Sequence, residues 1–185
     1  MDPRLPKRFE ALIHAFYAQN PGDLKRIGND AISDAATNND SELAAISVIS
    51  YALYKMLTKE HFTQSPRWPK ISQSITSSLQ KCLNAIESGN IAYFEKSMKS
   101  AIGQIKEIDD ELSNYARNIY EKAKIKQAST AYAMGMSINQ AAELTQANRS
   151  ELQRYIGVTR IHDEHPSGKG IVQRLSILKN TLKDM

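Results

Sequence analysis

The sequence contains few of the residues that interrupt helices or cross-link a chain. Its single cysteine, Cys82, excludes an internal disulfide and any cysteine-rich metal site. Only 6 prolines and 8 glycines occur in 185 residues, and no stretch shows the sustained alternation of β-branched and polar residues that is typical of strands. These absences predict an all-α protein, and the lone thiol favours a reducing compartment, the cytoplasm.

Long apolar runs are also missing. The most apolar stretch, LAAISVISYALYKML at residues 43–57, is shorter than the roughly 20 residues that cross a bilayer. The first 20 residues include basic side chains but no continuous apolar segment of signal-peptide type. We therefore expect no membrane partner, and we predict that residues 41–59 form the most buried helix of a bundle.

The net charge of +4 is unevenly distributed along the chain. Residues 1–125 contain 16 basic and 15 acidic residues, whereas residues 126–185 contain 8 and 5. A mild basic excess permits a nucleic-acid partner without requiring one. If such a partner exists, the distribution favours a contact in the last third of the chain.

Apolar residues at helical spacing predict the organisation of the chain. An irregular connection is expected around Pro66 and Pro69, because proline lacks an amide donor and disfavours helix in the preceding residue. We predict an N-terminal helical bundle, 1–125, for oligomerisation, sensing or binding a protein partner, and a C-terminal unit, 126–185. The predicted helices cover 7–19, 22–37, 41–59, 70–88 and 91 to about 134, the last one bending or restarting near 125.

The stretch SINQAAELTQANRSELQRYIG, residues 137–157, has the pattern of two short helices joined by a tight corner. Ser137 with Gln140, and Asn148 with Glu151, have the spacing of capping boxes. Alanines suit a close approach of two helices. The predicted packing residues are Ala141, Ala142, Leu144, Ala147, Leu152 and Tyr155 or Ile156, with Ala128, Ala131, Tyr132 and Met134 on a preceding helix that Gly135 ends.

Residues 142–152, AELTQANRSEL, are similar to the run A-x-L-T-G-V-S-R-x-x-L in the helix-turn-helix of prokaryotic regulators and antitoxins. The resemblance covers about residues 127–160. Gln146 replaces a glycine of this pattern at a position that often needs positive φ, so the corner either tolerates strain or adopts another geometry. The resemblance implies that the second motif helix enters the major groove of duplex DNA, and that a homodimer pairs two such helices.

Polar side chains on the outer face of the second motif helix are the candidate DNA contacts. They are Asn148, Arg149, Ser150, Gln153 and Arg154. Lys169, in the turn SGKG, is a further candidate phosphate contact, although this turn lacks the spacing of a nucleotide-binding loop. Leucines and isoleucines from Ile171 to Leu182 predict a final helix that begins near Gly170. A wing of two strands around Pro166 is the alternative.

Two other functions remain open from the sequence. One is a protein-interaction or antitoxin-like adaptor, because helix-turn-helix units also bind proteins. The other is a helical ribonuclease that resembles the HEPN family, whose loose Arg-x4-His spacing fits Arg160 and His165, with a five-residue version in Arg8 and His14. Such short patterns often arise by chance, so we expect DNA binding without catalytic residues.

Neither a metal site nor a cofactor site is predicted. His162 and His165 lack a third spaced ligand, and no glycine-rich cofactor loop occurs. The aromatic residues Tyr51, Tyr54 and Trp68, together with Arg67, are candidates for a pocket lining. Core packing explains these four residues equally well.

Overall fold

The computed structural model of the protein describes residues 4–112 and 119–159, with the side chains of 4–108 and 119–158. Within these ranges the chain forms helices and no strands, which confirms the predicted all-α class. The predicted final helix and Lys169 lie outside the described residues. The helices are α1 (Leu5–Tyr17), α2 (Pro21–Asn38), α3 (Ser41–Leu57), α4 (Glu60–Thr63), α5 (Trp68–Glu87), α6 (Ile91–Leu112), α7 (Ile119–Ala133), α8 (Ile138–Thr145) and α9 (Arg149–Thr159).

Side-chain caps fix where the early helices begin. The Asn20 side chain accepts a hydrogen bond of 3.1 Å from the Asp23 amide, and Pro21 is the first residue of α2. The Asp40 side chain accepts bonds from the first-turn amides of α3, of which the Leu43 amide is 3.0 Å away. A short side-chain oxygen satisfies amides that have no partner inside the helix. The breaks predicted at these two positions are confirmed.

The connection between α3 and α5 differs from the prediction. The stretch expected to be irregular contains the short helix α4, which brings Phe62 into the core with 0% of its surface exposed. Helix α5 begins at Trp68 rather than at 70, because Pro69 lies in its first turn, where a missing amide costs no hydrogen bond. For the long helix expected from residue 91, with a bend or restart near 125, the structure describes α6 up to Leu112 and α7 from Ile119.

Helix α3 lies at the centre of the bundle, as its apolar composition predicted. It packs most extensively against α2 and also contacts α1, α7 and α8. Its buried residues include leucine, isoleucine and alanine on several sides of the helix. None of the helices in the described part of the chain is long and apolar enough to cross a membrane.

Helices α2, α3 and α7 meet at Gly28, which is buried in α2. A Cβ atom at this position would lie 3.3 Å from the carbonyl oxygen of Ser47 and 3.6 Å from Nε2 of Gln127. The Ser47 hydroxyl donates a hydrogen bond of 2.8 Å to the Gly28 carbonyl. The absence of a side chain at Gly28 therefore allows α2 and α3 to approach closely, and α7 packs beside them.

The predicted boundary at residue 125 falls inside α7. Ile119, Ala123, Ala128 and Ala131 of this helix belong to the same hydrophobic core as the residues of α1 to α3. Helix α7 thus connects the bundle to the two helices that follow it. The division into two units stays a prediction, but the packing of α7 fixes how α8 and α9 are placed against the bundle.

Candidate nucleic-acid interface

Helix α8, the first helix of the motif, begins with the capping box that the sequence predicted. The Gln140 amide donates to the Ser137 hydroxyl at 3.2 Å, and the Ser137 amide donates to the Gln140 side-chain oxygen at 3.1 Å. The side-chain oxygen of each residue thus accepts a hydrogen bond from the backbone amide of the other. The start of α8 is therefore fixed by two reciprocal bonds.

Helix α9, the second helix of the motif, is capped by Asn148. The Glu151 amide donates to the Asn148 side-chain oxygen at 3.0 Å, as the spacing predicted. Because Oδ1 of Asn148 is occupied by the cap, its amide group is left with two N–H donors for a partner outside the protein.

The corner between α8 and α9 is a Schellman motif. The Gln146 amide donates to the Glu143 carbonyl at 3.1 Å, and the Ala147 amide donates to the Ala142 carbonyl at 2.9 Å. These two bonds are the pair that defines the motif, and Gln146 lies in its left-handed position with φ 55° and ψ 32°. Of the two geometries left open by the sequence, the corner thus adopts the one that glycine usually permits, and Gln146 tolerates the strain.

We expect Gln146→Gly to stabilise the protein. A left-handed conformation costs a residue with a Cβ atom about 1–2 kcal/mol, and the greater entropy of glycine in the unfolded chain offsets part of this gain. A net gain of about 1 kcal/mol corresponds to a rise in Tm of roughly 2–4 °C, which a thermal melt followed by circular dichroism would detect. Gln146→Val is the matched control and should lower Tm, because a β-branched residue is strongly disfavoured at positive φ. A lower Tm for Gln146→Gly would contradict this account.

The predicted packing beneath the motif is largely confirmed. Tyr155 and Ile156 are both partly buried, so the two alternatives contribute together. Met134 was predicted to support the motif, and this was wrong, because α7 ends at Ala133 and Gly135 then turns the chain with φ 107°, leaving 49% of Met134 exposed. The partly buried Met136 packs against the core. The buried members are Ala128, Ala131, Ala141, Ala142, Leu144 and Leu152.

The predicted DNA-contacting side chains in the described residues all lie on the surface. Asn148, Arg149, Ser150, Gln153 and Arg154 are exposed, whereas Leu152 between them is completely buried. An exposed acid is present on each motif helix, Glu143 on α8 and Glu151 on α9. The outer face of α9 therefore presents two arginines and several amide or hydroxyl groups, with one carboxylate at its first turn.

One edge of α9 lies against the bundle through Tyr155. Burial raises the pKa of Tyr51 on α3 to about 12, and the nearby phenols of Tyr155 and Tyr54 add to this effect. Tyr51 therefore keeps its proton at neutral pH. Lys55 lies over the rings of both Tyr51 and Tyr54, with Nζ 5.5 and 5.1 Å from their centroids. No local pattern in the sequence indicates this arrangement, because Tyr155 is distant from the others along the chain.

The aromatic residues considered for one pocket are in two places. Trp68 packs edge-on against Phe16, with ring centroids 6.2 Å apart, and lines a surface groove of about 580 Å³ with Tyr17 and Pro69. Tyr51 and Tyr54 instead pair with each other, at a centroid distance of 5.5 Å. The groove that Trp68 lines therefore does not include Tyr51 or Tyr54.

Of the candidate residues for catalysis, the structure describes Arg8 and His14, both on α1. The Arg8 guanidinium binds the Asp34 carboxylate, which also binds Arg4 at 3.0 Å. His14 is exposed six residues further along α1, about 240° around the helix from Arg8. Arg160, His162 and His165 lie outside the described residues. Among the residues that are described, no cluster of three or more His, Cys, Asp or Glu side chains could hold a metal ion.

No known protein decides between these functions. The chain matches no protein-family model, and searches of curated proteins and of solved structures give no match. The assignment therefore depends on the geometry of α7 to α9.

Proposed function

We propose that this protein binds duplex DNA through α9 and acts in the cytoplasm as a transcriptional regulator. The observation that carries the proposal is the exposed polar face of α9, held by the Schellman corner at Gln146 and the cap at Asn148. A helix fixed at its N-terminal end presents its first residues in a constant orientation. That is the requirement for contacts to base edges in the major groove.

The exposed side chains of α9 suit different chemical groups of DNA. Arg149 and Arg154 have the forked donors that suit O6 and N7 of guanine or a phosphate, and Gln153 can bind adenine through its amide. Asn148 uses its oxygen for the cap, so its remaining donors suit a phosphate better than the paired contact to adenine. The 11 residues of α9 extend about 16 Å, which fits within the groove.

The net charge of the C-terminal unit in one copy of the protein is small. Residues 126–158 contain the basic residues Lys126, Arg149 and Arg154, against the acids Glu143 and Glu151. Affinity for DNA depends strongly on the number of phosphates neutralised, so one copy would bind weakly. We therefore include a symmetric homodimer in the proposal, with the N-terminal bundle as the part that pairs two copies or binds a further protein partner.

The second candidate is a protein-interaction adaptor. It is favoured by two apolar side chains on the surface of the same unit, Val158 with 78% and Met134 with 49% of the surface exposed. Contiguous apolar patches mark sites where proteins associate, whereas single exposed apolar side chains are common on any surface. In this alternative the terminal unit docks a partner without DNA.

Salt dependence separates the two candidates. We expect the wild-type protein to bind a random duplex with an affinity that falls steeply between about 50 and 200 mM salt, because each phosphate contact contributes about −0.9 to the slope of log K against log [salt]. Fluorescence anisotropy of a labelled duplex measures this slope. A slope of about −2 or steeper supports DNA binding. A slope near zero, or no binding at about 50 mM salt, would exclude it and favour the adaptor.

A further inference from the structure

A patch of two lysines and two tyrosines lies beside α9 on the surface of the bundle. We call Lys25, Tyr51, Tyr54 and Lys55 the lysine–tyrosine patch. Lys25 Nζ lies 5.9 Å from the centroid of the Tyr54 ring, and Lys55 Nζ lies close to both rings. Helix α2 supplies Lys25 and α3 supplies the other three residues. Both ammonium groups thus contact the Tyr54 ring, and these contacts do not remove their charge.

The charge of this patch is not neutralised by the described part of the protein. No described carboxylate lies within salt-bridge distance of Lys25 or Lys55. A second pair of lysines provides a contrast, since Lys106 and Lys124 also lie over one ring, that of Tyr120, at 5.2 and 5.4 Å. Both of those lysines bind Glu121, at 2.9 and 3.1 Å, and the resulting ion pairs lower the pKa of Glu121. Of these two described pairs of lysines, the lysine–tyrosine patch is the one that keeps its ammonium donors available for an anion.

The patch adjoins the edge of α9 that lies against the bundle. Tyr155 of α9 lies near Tyr51 of the patch, and α8 contacts both α2 and α3. Successive residues of a helix are about 100° apart, so the exposed Glu151 projects between Arg154 and Tyr155 on α9. The lysines of the patch and the arginines of α9 therefore form separate positive areas, and the patch adjoins α9 along its Tyr155 edge.

We propose that the lysine–tyrosine patch binds the phosphodiester backbone of the duplex that α9 enters, on the flank of the groove. This inference rests on the proposed function. Lysine binds phosphate as a point charge and does not distinguish bases, so the contact adds affinity and orientation but no sequence preference. The bundle would then act directly in DNA binding and would not serve only for oligomerisation or sensing.

The test compares Lys25→Gln/Lys55→Gln with a control that removes the same charge elsewhere. Lys96 and Lys99 are exposed on α6, which does not pack against α9, so Lys96→Gln/Lys99→Gln is matched in charge. Anisotropy of a labelled random duplex is measured over a salt series. Loss of two phosphate contacts should make the salt slope less steep by about 1.8 and weaken binding about 10-fold or more beyond the control at low salt. The loss should be the same for duplexes of different sequence.

A second variant distinguishes the loss of the two positive charges from the loss of side-chain packing against the tyrosine rings. Lys25→Arg/Lys55→Arg keeps the cations over the rings and should retain the wild-type slope, and thermal melts report whether each variant is folded. If the glutamine variant binds like its control, or if the arginine variant loses as much as the glutamine variant while folded, the phosphate contact is excluded. In either case a steep wild-type slope would still support DNA binding by α9. A wild-type slope near zero would remove both proposals.

Discussion

Replacing Arg149 and Arg154 together with alanine is expected to weaken binding to duplex DNA by about 100-fold. Each arginine contact contributes about 1–3 kcal/mol, and about 1.4 kcal/mol corresponds to a factor of ten. The variant should remain folded, because both side chains are exposed while Leu152 between them carries the packing. Anisotropy titrations at several salt concentrations should also show a slope less steep by up to about 2, if both arginines contact phosphates.

Two control variants test whether the loss of binding is specific to these two arginines. Lys96→Ala/Lys99→Ala removes the same charge from α6 and should reduce affinity far less, since screening weakens a distant charge. Arg149→Lys/Arg154→Lys keeps the charge but not the forked donors, so it should preserve binding to random duplexes and lose preference among sequences. Equal losses for the alanine pair on α9 and the control pair on α6 would show that α9 does not contact DNA.

Ala142→Leu is expected to abolish DNA binding without altering any exposed side chain of α9. Ala142 is 6% exposed in α8, which packs against α7 and α9. Three additional carbons in a packed contact typically cost about 1–3 kcal/mol. The motif helices should separate, and Tm should fall by several degrees. Circular dichroism melts and the same anisotropy assay measure both effects.

The control for this substitution is Ala92→Leu, which adds the same side chain to an exposed position of α6. It should change neither Tm nor binding appreciably, because surface substitutions usually alter stability by less than about 0.5 kcal/mol. If Ala142→Leu is as stable as the control and binds DNA like the wild type, the close contact between the motif helices does not position α9.

Local chemistry explains why many helix ends and the motif were predictable. Asn20, Asp40, Ser137 and Asn148 each have a short side-chain oxygen next to a helical apolar pattern, and each caps a helix in the structure. The exposed side chains of α9 were predicted from the same helical periodicity, because Leu152 marks the side of the helix that faces the core.

Contacts between distant segments were not predictable, because no local pattern encodes them. The close approach of α2 to α3 depends on the absence of a side chain at Gly28, which in sequence is an ordinary glycine within a helix. The proximity of Tyr155 to Tyr51 likewise brings together α9 and α3, which are far apart in the chain. Met134 was misplaced because the sequence did not show that α7 would end one residue earlier.

The proposal has one central requirement, that the outer face of α9 recognises duplex DNA. Arg149 and Arg154 are its only exposed cations among the described residues of that helix. The measurement that tests this requirement most directly is selection of genomic DNA fragments by the wild type and by Arg149→Ala/Arg154→Ala, followed by sequencing. The account predicts that the wild type enriches a defined set of fragments and that the variant enriches none of them. If the wild type enriches nothing and binds duplex DNA no better than the variant, α9 is not a DNA-binding helix and the corner is a protein-interaction module.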